Sequence, residues 1–174
     1  GAGGTVGSQD WMKSALTAKA AGIDPKAMRF VAFEGGGEAM TALQGGHVHI
    51  YSGDASEAVQ QQKAGSKIRV LAVMADKRLP GDLAAIPTAK EQGVDIQWPI
   101  IRGFYLGPKV NDADFKVWSD TFKKMMATPA YDKLRAERGL FPFDLVGPEA
   151  DAYMKKRVGE YRKLVQDFGL PVAK

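Results

Sequence analysis

Three short stretches gather residue types that hold anions through the backbone: GGTVGSQD at residues 3–10, EGGGEA at 34–39 and YSGDAS at 51–56. In the first two, glycines lead directly into a helical pattern. The first turn of a helix carries N–H groups without intrahelical partners, and the helix dipole adds partial positive charge there. Glycine lets the backbone come close to a bound group, and a Ser or Thr hydroxyl adds a donor. The chemistry favoured is the capture of a small carboxylate or phosphate. Gly35, Gly36 and Gly37 alone would also serve a tight connection, so the signal lies in the repetition of the device.

Other chemistries find less support. GGTVGS lacks the lysine and the spacing of a phosphate-binding P-loop, and no apolar strand precedes it. His47 and His49 sit two apart on an expected strand, one expected to be buried and one exposed rather than both gripping one metal. No metal and no cofactor are expected. Ser8, Ser52 and Ser56 lack a nucleophile elbow, and no histidine stands beside them as a base. Glu34, Glu38, Asp54 and Glu57 have no spacing that demands a carboxylate pair. No catalytic residue is assigned; a serine-dependent hydrolase using Ser8 or Ser52 and a self-associating interaction module stand as rivals to a binding role.

The elements that must position these turns follow from periodicity. Ser8 is a good N-cap for QDWMKSALTAKAAG, with Met12, Ala15, Leu16 and Lys19 at helical spacing and Gly22 as its stop. MRFVAF (28–33) predicts a strand, and a helix follows EGGG up to Gly45 and Gly46. HVHIYSG predicts another strand, with a helix from Asp54 to Gly65 after it. KIRVLAVMA (67–75) predicts the most buried strand, because Val70 to Val73 are continuously apolar. PTAKEQG predicts a short helix between Pro87 and Gly93, and VDIQWPIIRGFYLGP an extended stretch broken by Pro99.

Three amphipathic helices are predicted after Pro108. One carries the stripe Phe115, Trp118, Phe122 and Met126, and the last carries Tyr153, Val158, Tyr161 and Val165; both stripes are expected to face a core. Strands alternate with helices up to residue 98, as in a parallel or mixed α/β sheet flanked by helices. The expected organisation is an α/β lobe over 1–98, a crossover over 99–108 and a helical segment over 109–174.

Composition sets the outer bounds. The chain has 174 residues and a formal net charge of +4, but its charges alternate along helices, as in KKRVGEYRKLVQD, so a solvated face is expected and no nucleic-acid partner. There is no cysteine, which excludes a disulfide frame or thiolate site and fits an oxidising compartment. The longest apolar runs fall far short of the ~18 residues of a membrane span. The chain opens inside a turn, from which a lost or shortened preceding strand is expected.

The series GGTVGSQD…ALTAKAAGID, FVAFEGGGEAMTALQGGHV, SGDASE, KAGSKIRVLAVMADKRLPGDLAAIPTAKEQGVDI, RGFYLGP and EYRKLVQDFGL resembles the solute-binding receptors of tripartite tricarboxylate transporters, the Bug proteins. GGGEAMTALQGGHV and RLPGDLAAIPTAKEQGVD carry most of it. The resemblance implies a type II periplasmic binding protein: two α/β lobes joined by crossover strands, holding a small organic anion and handing it to membrane components of a secondary transporter. It further implies that this chain is the second lobe plus the C-terminal helical return, without the N-terminal lobe.

By the same resemblance, Thr5, Gly7, Ser8 and Gln9 form the anion turn, Gly36 and Gly37 bring backbone donors, and Ser52 with Asp54 line a third edge. Trp11, His49 and Asp54 depart from the family's usual pattern. An acidic Asp54 near a carboxylate would repel it, unless the ligand also carries an amino or hydroxyl group or Asp54 points away.

Overall fold

The computed structural model describes residues 1–170 and divides into two units, Gly1–Ile101 and Arg102–Lys174. The division falls within the 99–108 stretch.

The first unit is built on a small parallel sheet. β1 (Ala2–Gly3) pairs with β2 (Val31–Ala32) in the register Ala2 opposite Val31 and Gly3 opposite Ala32. On its other side Ala2 bridges Tyr51 in parallel, and its N–H donates to the Ile50 carbonyl at 3.0 Å. β1 is therefore the central strand, in the order β2, β1, Tyr51 segment. Sequence reading found no strand ahead of the glycine turn, because two residues of alanine and glycine carry no hydrophobic pattern. Their smallness is what the centre of this sheet uses.

Each parallel step needs a crossover, and α1 (Gln9–Ala20) and α2 (Gly36–Gln44) supply the two. Successive residues of a strand face opposite sides. Ala2 is buried in a cluster with Ala39, Ala42 and Val48 from α2 and the segment after it, whereas a Cβ on Gly3 would run into Asp10 of α1. The two helices thus cover opposite faces of β1. α3 (Ala55–Lys63) follows the Tyr51 segment. Ser8 caps α1 through its hydroxyl, which accepts from the Trp11 N–H at 3.3 Å, and Gly22 (φ +75°) lies past its end, as the sequence predicts.

Trp11, Met12, Lys13, Ser14 and Ala15 are all buried. Five consecutive helical positions go more than once round the axis, so the first half of α1 is enclosed on every side rather than along one stripe.

Three sequence expectations fail here. KIRVLAVMA is extended but is not a sheet strand: only Val73 is buried, bridging Thr88, while Leu71 is 54 % exposed. Ile68, Val70 and Ala72 are half-buried between exposed Lys67, Arg69 and Leu71, so one face alone is covered and the apolar run is not enclosed. HVHIYSG contributes only the Tyr51 bridge, and His47 and His49 are both exposed on either side of buried Val48, because residues two apart in extended chain share a face. The PTAKEQG helix shrinks to a 3-10 turn at Lys90–Gln92, closed by Gly93 at φ +85°. Its start is a reciprocal cap, in which the Thr88 hydroxyl accepts from the Glu91 N–H at 3.0 Å and the Glu91 carboxylate accepts from the Thr88 N–H at 2.7 Å.

The second unit contains α4 (Asp112–Met126), α5 (Pro129–Glu137) and α6 (Pro148–Asp167), at the predicted positions. Asn111 caps α4 and Thr128 caps α5. None of the three helices has a fully buried side chain, so the stripes are not enclosed as expected: Trp118 is 49 % and Val158 44 % exposed. Local ring contacts hold the apolar side chains instead, with Phe104 stacked on Phe122 at 5.0 Å, Trp118 beside Phe122 at 6.0 Å and Phe143 edge-on to Tyr153 at 4.9 Å. Among the described residues no helix is long and apolar enough to cross a membrane.

Candidate functional site

Because β1, β2 and the Tyr51 segment run parallel, their carboxyl ends share one edge. The turn 4–8, the connection 34–35 and the loop 52–54 leave that edge and enter α1, α2 and α3. The first crossover goes from β1 to one neighbour and the second passes back over β1 to the other. The strand order therefore reverses between β1 and the Tyr51 segment, and in open α/β sheets the crevice outside such a switch point is where ligands bind.

The first turn is shaped by Gly7, whose φ of +86° favours glycine, and by the Ser8 N–H bonded to the Thr5 carbonyl at 2.9 Å. Thr5 and Gln9 are exposed at this mouth, and Gly7 and Ser8 are half-buried. The Gln9 side-chain oxygen accepts from the Trp98 indole N–H at 3.2 Å. Ser8 Oγ is engaged in capping its own helix. The backbone amides at the start of α1 are the more direct anion donors, as in any helix first turn.

At the second mouth, a Cβ on Gly36 would come within 2.6 Å of both the Tyr51 hydroxyl and Glu57 Oε2, so α2 starts in contact with the third segment. A Cβ on Gly37 would meet nothing within 4 Å; packing does not require a glycine there. In the third loop, the Ser52 hydroxyl accepts from the Ser14 hydroxyl at 3.0 Å. Asp54 sits at the N-cap position of α3 without capping it through its side chain.

Sequence reasoning missed the groups beneath these mouths. Asp10 accepts from the Gly4 N–H at 3.2 Å and pairs with Lys13 at 3.0 Å. Lys13, 3 % exposed, also donates to the Gly53 carbonyl at 3.2 Å. Their spacing of three on a helix was the available signal, and it is indistinguishable from an ordinary surface pair. Tyr51 donates to Glu57 at 3.3 Å; burial, then the charges of Asp10 and Glu57, push its ionisation well above the usual tyrosine range, so it stays a neutral donor. Trp11 is buried, beneath the rim rather than on it.

The turns therefore lie along one edge with amides, hydroxyls and a neutral phenol, while acidic Asp10, Asp54 and Glu57 surround Tyr51. Ser8 and Ser52 are bonded to a backbone amide and to another serine, not to a histidine, so neither is placed as an activated nucleophile.

A small α/β lobe with helix mouths at a switch point is the architecture of a solute-binding lobe. A solved TctC solute-binding protein from Polaromonas, without ligand, superposes with a TM-score of 0.67 at 21% identity, over 95% of this chain and 56% of that one. A UPF0065 protein in the gbd 5' region of Cupriavidus necator is 26% identical over 144 residues, 82% of this chain and 43% of its own length. The profile of the tripartite tricarboxylate transporter family receptor, TctC, matches residues 1–170, and the chain belongs to that family. It spans about half the length of these relatives.

Proposed function

We propose that this chain forms one lobe of an extracytoplasmic, periplasmic receptor. It captures a small organic carboxylate, a di- or tricarboxylate or a related anion, against a second lobe and delivers it to the membrane components of a tripartite tricarboxylate-type transporter. The observation that carries this reading is the alignment of three helix mouths along one edge of a parallel sheet, at its switch point. In this reading the backbone at Thr5, Gly7, Ser8 and Gln9 receives one carboxylate, Gly36 and Gly37 approach it from the neighbouring mouth, and Ser52 and Asp54 line the third side. Asp54 and Glu57 favour a ligand that also presents a hydroxyl or amino group. Closure is a hinge motion over residues 99–108, driven by a ligand that touches both lobes.

Gly37 gives a clean test, because a Cβ there meets no atom of the fold. Calorimetry with succinate, malate and citrate is expected to show at most weak binding by this lobe alone, since half of the donors lie on the second lobe. Gly37→Ala keeps the backbone N–H but puts a methyl where the ligand approaches, and should weaken binding about tenfold without lowering the melting temperature. Equal affinity in the variant, or micromolar affinity of this lobe alone for any of the three, rejects the assignment.

A second reading is favoured by one observation. Phe104, 82 % exposed, and Trp118, 49 % exposed, both pack on Phe122, and Tyr105 next to Phe104 in the chain is 74 % exposed; an exposed aromatic group of this kind favours association of two copies of this chain. Light scattering is expected to show a mass rising with concentration, and Trp118→Ser should reduce it. A monomer at all concentrations counts against this reading.

A further inference from the structure

The bonds that tie the first turn to the third loop run through two side chains of α1, Asp10 and Lys13. Asp10 holds the first turn through the Gly4 N–H, Lys13 holds the third loop through the Gly53 carbonyl, and the two side chains pair at 3.0 Å. The connection is thus Gly4, Asp10, Lys13, Gly53, and it runs from the loop after β1 to the loop after the Tyr51 segment, where the strand order reverses. Gly53 cannot move aside freely, because a Cβ there would overlap the Tyr51 ring and the backbone is seated directly against it. A second tie, Ser14 to Ser52, lies one residue after Lys13 and one before Gly53. Lys13 is buried, with its charge already matched by Asp10, so it has no surplus to offer a solute; what it fixes is the distance between two walls.

We propose that Lys13 is a positioning residue for the solute crevice: with Asp10 it sets the spacing of the 4–8 turn and the 52–54 loop, and affinity depends on it without contact. This rests on the receptor reading above, and the test separates the two. In the absence of any solute, Lys13→Met should shift the Gly53 carbonyl carbon resonance and speed exchange of the Gly4 amide about tenfold, as expected for weakening one hydrogen bond to a charged group. Lys13→Arg should restore both, since its guanidinium can meet Asp10 and Gly53 together. Ser14→Ala, which removes only the parallel tie, should leave Gly4 unchanged.

With citrate as the probe, Lys13→Met should weaken binding about tenfold and Lys13→Arg should recover it. An unchanged Gly4 amide and Gly53 carbon in Lys13→Met, or acceleration spread evenly over the whole unit, overturns the proposal. So does altered exchange with unaltered citrate affinity. Altered exchange in a chain whose wild type binds no citrate leaves the spacing role standing and removes its use for a carboxylate. Should Lys13→Met fail to fold, the comparison of Asp10→Asn with Asp10→Asn/Lys13→Met decides in the same way, since the double variant leaves no buried charge unmatched.

Discussion

Asp10→Asn is expected to destabilise the first unit by about 3–5 kcal/mol, more than Lys13→Met, although asparagine can still accept from the Gly4 amide. The asymmetry follows from burial. Lys13 is 3 % exposed and Asp10 20 %, so removing the carboxylate leaves a buried ammonium group on the Gly53 carbonyl without its counter-charge, whereas removing the lysine leaves a carboxylate that water reaches. A stranded buried charge is one of the few single-residue changes that reaches this size, against a total stability of about 5–15 kcal/mol for an ordinary domain. The double variant Asp10→Asn/Lys13→Met should recover most of the loss, because a neutral methionine fits an enclosed helix position and nothing charged remains. Urea unfolding followed by circular dichroism gives the four corners of the cycle. An Asp10→Asn variant within about 1 kcal/mol of the wild type, the range of an exposed ion pair, would show that water reaches the lysine.

Gly3→Ala is expected to have the next largest effect, about 3 kcal/mol, at the upper end for overpacking. The added methyl would overlap Asp10 Cβ, an atom fixed close to the α1 backbone, and would also lie 3.1 Å from Asp10 Oδ2 and from the Phe30 ring. Neither neighbour can retreat cheaply: Asp10 is tied to Gly4 and Lys13, and β1 is bonded on both sides through Ala2 to Ile50 and through the Gly3 carbonyl to Phe33 at 2.8 Å. Gly37→Ala is the control, since its Cβ meets nothing and alanine is the better helix former. Thermal unfolding of the two variants should therefore move in opposite directions or, for Gly37→Ala, not at all. Equal tolerance of both would mean that α1 does not press on β1.

What the sequence made legible were the helices and the turns. The cap Ser8 and the stops Gly22, Gly46, Gly65 and Gly93 mark their elements because capping is local chemistry, settled within four or five residues. The strands were not legible in the same way. Ala2–Gly3 has no apolar pattern, yet it is the centre of the sheet; KIRVLAVMA has the strongest pattern and pairs only through Val73. Strand pairing is decided by partners far along the chain, and continuous apolar runs become enclosed strands only where both faces are covered. The candidate site followed the same division: the glycine turns were visible, while the Asp10 and Lys13 pair beneath them looked like surface charge until the helix around it proved enclosed.

The claim on which the functional account depends is that three helix mouths serve one anion together. The most direct measurement is an amide chemical-shift titration of this chain with succinate, malate and citrate at constant pH and ionic strength. The account predicts that Gln9, Gly36, Gly37 and Ser52 move along a single saturation curve, with α4, α5 and α6 unmoved. Shifts confined to the lysine-rich surface of α6, or separate curves for the α1 and α2 mouths, would contradict it.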